Sequence, residues 1–171
     1  SSRKRPRLDD KVLASWNGLM LSAFAIGARV LSEPAYLDAA RSCASFVLSK
    51  MRNGEGELLH SWRKAPSKIE GMLPDYACMG RGLLDLYAAS FDPRWLAAAL
   101  DLARRMWRRF EDREHGGFFF TREGQHDLIT RRKEAYDGAE PSGNSVAAEL
   151  LARLSRLTGD TQLGESARRT F

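Results

Sequence analysis

The chain has 171 residues, enough for one domain with a sizeable hydrophobic core. Hydrophobic residues make up 43% and charged residues 29%, with a formal net charge of +5, which excludes an intrinsically disordered chain. No apolar run reaches the ~18 residues of a membrane span and no secretory leader pattern opens the chain, so we expect a cytoplasmic protein without a membrane partner.

The excess positive charge raises the question of a nucleic-acid partner. Much of it lies on one side of a predicted helix, at Arg104, Arg105, Arg108, Arg109 and Arg113. Apolar residues occupy the other side, so a solvated helix face explains the charge, and no P-loop, zinc finger or aromatic–basic RNA motif accompanies it. The opening RKRPR at residues 3–7 matches a nuclear-import cluster only weakly. We therefore predict no nucleic-acid partner.

In chain order, apolar residues recur at three- and four-residue spacing in six segments, which predicts six helices. They span about residues 12–31, 35–52, 75–90, 93–111, 143–158 and 161 to the end. Two glycine-led segments, GELLHSW (56–62) and GGFFFT (116–121), are typical of short β-hairpins. The order is helix, helix, hairpin, repeated.

This order is a true internal repeat, because landmarks recur at spacings of about sixty to seventy residues. Residues 33–37 (EPAYL) recur as 92–96 (DPRWL), and residues 70–74 (EGMLP) recur as 137–141 (DGAEP). An acidic residue followed by proline is a favourable helix start. Helix pairs that cannot bury their apolar faces alone stack on their neighbours.

The two helices of each pair differ in composition. The first is rich in Gly, Ala and Ser and apolar nearly all round, whereas the second is amphipathic. A helix that is apolar on every side is enclosed by other helices, and an amphipathic one faces water. We therefore predict an all-α fold, a partial (α/α)6 toroid of about three helical hairpins with short β-hairpins between them. An α-solenoid is the alternative, which the β-hairpins disfavour.

We expect residues 1–171 to form a single domain. Because the chain stops inside a predicted helix, that domain would be a fragment of the ring, and self-association is one way to cover its open face.

In such a ring the first helices of all pairs run in the same direction, so the residues around their starts meet at one rim. Helix N-termini carry unpaired N–H groups and a partial positive charge, which suits anionic or hydroxyl-rich ligands. We predict one shallow funnel there. Its candidate residues are Asp9, Asp10, Lys11, Trp16, Asn17, Asp75, Tyr76, Arg81, Glu134, Tyr136, Asp137, Glu140, Ser142 and Asn144.

Asp75 and Glu140 are the candidate catalytic residues, with Asp10 in reserve, and the other residues of the funnel are candidates for substrate binding. Asp75 and Asp10 each have a structural alternative. Asp75 and Ser142 occupy equivalent repeat positions and could cap their helices, and either Asp9 or Asp10 could cap the first helix.

The remaining candidates also have two interpretations. Trp16 and Tyr76 are either sugar-stacking rings or core residues. Arg81 either pairs with Asp75 or contacts an acidic substrate, with pairing favoured. Asp137 precedes a glycine and fits a turn as well as a site. Asn17, if it faces inward, would hydrogen-bond a ligand.

Neither metal nor cofactor is predicted. His60, His115 and His126 are scattered through loops without HxxxH or HExxH spacing. Cys43 and Cys78 stand apart without a CxxC motif, so we expect both thiols to be reduced and buried.

Four segments together resemble a known family, the thioredoxin-domain-containing proteins typified by spermatogenesis-associated protein twenty. They are LDDKVLASWNGLM (8–20), DYACMGRGLLDLY (75–87), GGFFFT (116–121) and RRKEAYDGAEPSGNSVA (131–147), of which YDGAEPSGNS is the most specific. The resemblance runs from about residue 5 to residue 160. It implies an N-terminal thioredoxin-like redox domain, which is not in this chain, followed by a toroid similar to glycosidases and N-acylglucosamine 2-epimerases.

Two functions follow from these residues. In the first, the toroid is carbohydrate-active and resembles a glycoside hydrolase, with two carboxylates flanking a glycosidic bond. An epimerase is less favoured, since the similar epimerases use histidines that line the ring and none of these histidines lies on an inner helix. In the second, the toroid is a non-catalytic binding or scaffold module that accompanies the redox domain.

Overall fold

The computed structural model describes residues 8–124 and 130–171. The predictions for residues 3–7 and for His126 lie outside the described residues. Within the described ranges the elements are β1 (Val12–Leu13), α1 (Ala14–Leu31), α2 (Pro34–Lys50), β2 (Ser61–Arg63), β3 (Ala65–Pro66), α3 (Leu73–Ser90), α4 (Pro93–Phe110), α5 (Gly143–Thr158) and α6 (Thr161–Arg168).

The second helix of each pair begins where the repeat predicted a start. The side chains of Glu33, Asp92 and Asp160 cap α2, α4 and α6 by accepting a hydrogen bond from the backbone N–H two residues later. Proline is the first residue of α2 and of α4, where its missing N–H costs nothing. These caps account for the recurring acidic–proline motif.

The first helices pack side by side and the second helices lie outside them. Helix α3 lies between α1 and α5 and also packs on α4, and it is buried along most of its length. Helix α4 buries Trp95, Ala99 and Met106, while Arg104 and Arg108 on its other side face water. The all-α, partial-toroid prediction of three helical hairpins is confirmed.

Small residues allow the first helices to approach closely. A Cβ atom on Gly18 of α1 would overlap the backbone of Cys78 in α3, and one on Gly82 would lie 2.7 Å from the Gly18 carbonyl oxygen. A Cβ on Gly80 would collide with Leu150 of α5. The glycine-rich composition of these helices is therefore a packing requirement.

The small sheet joins the start of α1 to the chain between α2 and α3. Strand β1 pairs antiparallel with β2, with Val12 opposite Trp62, and β2 pairs antiparallel with β3. Part of the predicted segment 56–62 is thus a strand. The predicted hairpin at 116–121 forms only an isolated bridge, between Glu111 and Phe118.

Two helix starts differ from the prediction. Residues 12–13 form β1, so α1 begins at Ala14, and α3 begins at Leu73 because Pro74 is accepted in the first turn of a helix. None of the described helices is long and apolar enough to cross a membrane.

The cysteines are unbonded. Cys78 is buried, and burial raises the pKa of its thiol to about 12, while Cys43 is half-buried.

Candidate functional site

The N-terminal ends of α1, α3 and α5 meet around a cleft of about 430 Å³. The loop after α4 and the segment before α5 complete its wall. The cleft is lined by Leu13, Ser15, Trp16, His60, Met72, Pro74, Asp75, Phe120, Glu134, Tyr136, Ala139, Glu140, Pro141, Ser142 and Gly143. Six of the predicted funnel residues therefore lie together, although they come from distant parts of the sequence. They are Trp16, Asp75, Glu134, Tyr136, Glu140 and Ser142.

Asp75 lies at the base of this cleft, with only 1% of its surface exposed. One carboxylate oxygen accepts the Ser15 backbone N–H at 3.0 Å, and the other accepts the Met72 N–H and the His60 ring, both at 2.9 Å. Asp75 is the third residue of α3, so the N-cap prediction was wrong: Met72 is the N-cap, and the Asp75 side chain reaches back to it.

His60 is the functional group that sequence reasoning missed. Its Nδ1 is engaged by Asp75, and the pairing of β1 with β2 carries it into the lining of the cleft. The hydrogen bond to Asp75 raises the pKa of His60. Only the tertiary strand pairing brings this loop histidine to the site, which local spacing could not indicate.

Trp16 and Glu140 form another part of the cleft wall. The Trp16 indole Nε1–H donates a hydrogen bond of 2.7 Å to Glu140 Oε1. Trp16 is 54% exposed, so its ring is a surface platform and not part of the core. Tyr136 is 86% exposed beside it, and Glu134 pairs at 2.6 Å with Arg132.

Asp137 and Ser142 organise the backbone at the start of α5. Ser142 is the N-cap, as predicted, and its hydroxyl accepts the Ser145 N–H at 3.1 Å. Asp137 accepts the Ser142 N–H at 2.7 Å and the Ser145 hydroxyl at 3.2 Å, and these bonds hold the pKa of Asp137 below its usual range. Asp137 therefore has the turn-forming role.

Two predicted ligand contacts point away from the cleft. Tyr76 is 1% exposed and lies in the core, because one step along α3 turns it by about 100° from Asp75. Arg81 pairs with Glu149 of α5 at 3.3 Å and not with Asp75, which is six residues away, about 9 Å along the helix.

The two predicted asparagines hold backbone instead of lining the cleft. Asn17 donates to the Leu13 carbonyl at 2.8 Å, across the first turn of α1. Asn144 is buried and both donates to and accepts from the backbone of Phe118, at 2.9 and 2.7 Å. Their amides are satisfied within the protein.

Asp9, Asp10 and Lys11 lie on the surface next to β1. Asp9 pairs with Lys11 at 3.3 Å, and Asp10 pairs with Arg63. None of the three lines the cleft. Neither aspartate caps α1, whose N-cap is Leu13, because the intervening strand moves the helix start away from them.

A buried charge network below the site also escaped prediction. Glu57 is 5% exposed and accepts hydrogen bonds from Tyr76 at 2.7 Å and from Arg105 at 2.6 Å, with Arg109 3.0 Å away. Such partners are what a buried carboxylate requires. Burial, with Glu57 adding to it, raises the pKa of Tyr76. The sequence signal that could have indicated this network was the presence of a glutamate, Glu57, inside the apolar segment 56–62.

No cluster of three or more metal-ligating side chains occurs among residues 8–124 and 130–171.

The fold is similar to the α/α toroids of several solved structures, all of them named as sugar-processing enzymes. A cellobiose 2-epimerase from Bacillus thermoamylovorans superposes with a TM-score of 0.77 at 18% identity, over 97% of this chain and 45% of that one. A GH76 α-mannanase from Bacteroides thetaiotaomicron gives 0.72 at 15% identity, over 99% and 44%. An unsaturated glucuronyl hydrolase from Bacillus sp. GL1 gives 0.71 at 14% identity, over 98% and 48%. Identities this low show the fold alone.

Sequence comparison gives the particular relationship. Spermatogenesis-associated protein 20 of Homo sapiens is 40% identical over 167 residues, and that of Rattus norvegicus 42% over 168, in each case 92% of this chain. An uncharacterised Caenorhabditis elegans protein is 30% identical over 179 residues. The chain is therefore homologous to a segment of spermatogenesis-associated protein 20, and the predicted resemblance is confirmed. It spans only 21% of the length of those mammalian relatives, and no family model matches it.

Proposed function

We propose that the cleft binds a saccharide and that this chain is the carbohydrate-active part of a larger protein. The observation that carries the proposal is the combination, in one cleft, of exposed aromatic side chains with carboxylates. Aromatic faces stack on the C–H faces of sugar rings, and carboxylates accept hydrogen bonds from sugar hydroxyls. The cleft volume of about 430 Å³ lies within the usual range of small-molecule sites.

The solved structures that share this fold support the proposal. They are named as enzymes of cellobiose, α-mannan and unsaturated glucuronyl substrates, so this fold is one that sugar-processing enzymes use. The substrates differ in linkage and charge, which means that the fold indicates saccharides but not which saccharide.

Proton transfer in this cleft would fall to His60 and Glu140. Asp75 is enclosed and already accepts three hydrogen bonds, so it positions the imidazole instead of exchanging protons with a ligand. With Nδ1–H directed at Asp75, a neutral His60 offers the lone pair of Nε2 to the cleft. Glu140 keeps Oε2 for a ligand, because Oε1 holds the Trp16 indole. This revises the predicted Asp75–Glu140 pair.

The second candidate function is a non-catalytic sugar-binding or scaffold toroid beside a thioredoxin-like domain. The three hydrogen bonds that Asp75 accepts from the protein favour this second function. An aspartate that only holds two helix starts together does not have to take part in a reaction. The thioredoxin-like partner, the single-domain extent of residues 1–171 and a cytoplasmic location stay predictions.

The test is an NMR titration of the full chain with neutral mono- and disaccharides, following the Trp16 indole N–H signal and, in every variant, the backbone amide signals of the lining residues Ser15 and Gly143. We expect shifts confined to the cleft and at least about fivefold weaker binding in Trp16→Ala, since stacked rings contribute on the order of 1 kcal/mol or more. Val30→Ala is the matched control, because Val30 is 74% exposed on the same helix but about 21 Å further along it.

The outcomes separate the two functions. Binding together with a new sugar product in the NMR spectrum supports the enzyme. Binding without any turnover supports the scaffold function. Absence of any cleft shift across the panel would contradict the saccharide proposal itself.

A further inference from the structure

We infer that the cleft accepts uncharged or ammonium-bearing saccharides and rejects uronates and sugar phosphates, and that Glu140 is the residue that sets this specificity. The inference rests on the proposed saccharide function and deepens it by naming the substrate class. It is carried by the charges that line the cleft and by the way each is compensated.

The titratable side chains in the lining are three carboxylates and one histidine. They are Asp75, Glu134, Glu140 and His60, and among residues 8–124 and 130–171 no lysine or arginine lines the cleft. Sites built for carboxylate or phosphate groups present arginine or lysine to them. Within the described part of the chain this cleft presents acidic groups instead.

The three carboxylates differ in their compensation. Asp75 is paired with His60, and Glu134 is paired with Arg132 at 2.6 Å. Glu140 has a neutral partner, the Trp16 indole N–H, and within the described ranges no cation lies within ion-pair distance of it. The charge of Glu140 is therefore the one that a ligand experiences most fully.

The cations that surround the cleft have carboxylate partners. Lys133, which lines an adjoining pocket together with Arg132 and Glu140, pairs with Asp112 at 2.6 Å. Lys11 pairs with Asp9 at 3.3 Å, and Arg63 pairs with Asp10. An anionic sugar would have to compete with these carboxylates for the cations, and it would have to do so outside the lining of the cleft.

The starts of α1 and α3 offset little of the negative charge, because protein acceptors occupy their first N–H groups. In α1, Ala14 N–H donates to the His60 carbonyl at 3.0 Å and Ser15 N–H to Asp75. In α3, Leu73 N–H donates to the Phe120 carbonyl at 3.0 Å. At these two termini the protein already supplies the acceptors that an anionic ligand would otherwise provide.

A ligand carboxylate would therefore meet Glu140 without a lysine or arginine beside it, and the His60 ring is already held by Asp75. At a separation of about 8 Å and an effective dielectric constant of ~20 the repulsion is large enough to weaken binding by about tenfold or more. An ammonium group in the same place would be attracted to Glu140 and to the exposed aromatic faces of Trp16 and Tyr136. Discrimination thus comes from a built-in repulsive element.

The experiment compares ligands that differ at one position. The β-methyl glycosides of glucose, glucosamine and glucuronate, and their β-1,4-linked disaccharides, are titrated into the full chain by NMR at about 0.1 M salt. We expect the glucuronate series to bind at least about tenfold more weakly than the glucose series, and the glucosamine series to bind at least as tightly as glucose.

Glu140→Gln tests the assignment to one residue, since glutamine keeps the shape and can still accept the Trp16 hydrogen bond. The glucose-to-glucuronate affinity ratio should fall at least about threefold in this variant, and raising the salt to about 1 M should lower the wild-type ratio in the same direction. Glu55→Gln makes the same change in net charge at an exposed loop residue outside the cleft and should leave the ratio unchanged.

Equal or tighter binding of glucuronate to the wild type overturns the inference and leaves the saccharide function standing. An equal fall of the ratio in Glu55→Gln shows an effect of overall charge and overturns the role of Glu140. If none of the three series binds, the proposed function falls and the inference with it.

Discussion

At the scale of single residues, two neighbours in the sequence lie in different environments. Asp75 faces the cleft and Tyr76 faces the core, although both were candidates, because successive helical residues are turned by about 100°. Their composition and spacing indicated a site near the start of α3 correctly but could not say which of two adjacent side chains belongs to it. The rotational position of each side chain around the helix axis decides which one faces the cleft. That position depends on where α3 begins, and α3 begins at Leu73, with Pro74 in its first turn, and not at the predicted residue 75.

The His60–Asp75 pair predicts a pH-dependent contribution to stability. The hydrogen bond to Asp75 raises the pKa of His60 in the folded protein above the ~6.5 of an unfolded histidine, despite the opposing effects of burial and of nearby Lys11. A group with a raised folded-state pKa stabilises the fold fully below its unfolded pKa, and this stabilisation is lost as the pH rises through the folded pKa. His60→Gln should therefore lose more stability at about pH 5.5 than at about pH 9.

Urea unfolding at the two pH values measures this difference. His115→Gln is the control, because the His115 side chain is 70% exposed, and its effect should be small at both. A His60→Gln loss that does not change with pH would show that the pair contributes packing alone.

At the scale of helices, the sequence predicted the pairs well and their starts less well. Acidic–proline motifs became caps in α2 and α4, because capping is a local interaction that a few residues determine. The strands β1 and β2 were harder to place, since they pair across some fifty residues. The pairing of β1 with β2 also positions His60. Both the strand β1 and the site residue His60 escaped prediction because they depend on this long-range pairing.

The close packing of α1 on α3 predicts a sharp effect at Gly18. A methyl group there would overlap the Cys78 backbone, which is not a flexible side-chain tip that can move aside. We expect Gly18→Ala to lower the free energy of unfolding by about 1–3 kcal/mol, measured by urea denaturation. Gly54→Ala is the matched control: nothing lies within 4 Å of its Cβ position, so stability should change by less than about 0.5 kcal/mol. Equal effects at both positions would argue against close helix contact.

At the scale of the whole molecule, α1 leaves an apolar side uncovered. Trp16, Met20 and Leu31 follow one another on this side at helical spacing and are 54%, 51% and 64% exposed. In complete toroids an inner helix has neighbours on both sides, and this chain corresponds to less than half of each such structure. The general architecture was predictable from the repeat. What covers this face of α1 was not predictable, because the repeat contains no segment that packs on it.

This face predicts concentration-dependent self-association of the chain. Contiguous exposed apolar side chains favour contacts between copies. Sedimentation velocity over a range of protein concentrations should show a rising average mass, and Leu31→Lys should reduce it by placing a charge on the face. Glu55→Lys adds positive charge on an exposed loop elsewhere and should leave association intact. A monomer at all concentrations would contradict the prediction.

The hydrogen bond between Trp16 and Glu140 joins the first and last helical pairs across 124 residues of sequence. It also gives the protein an intrinsic optical reporter. Of its four tryptophans, Trp95 is buried and Trp62 and Trp107 are partly covered, so the long-wavelength fluorescence comes chiefly from the exposed indole. A ligand that displaces the carboxylate from that indole would change its emission, and occupancy of the rim could be followed without any label.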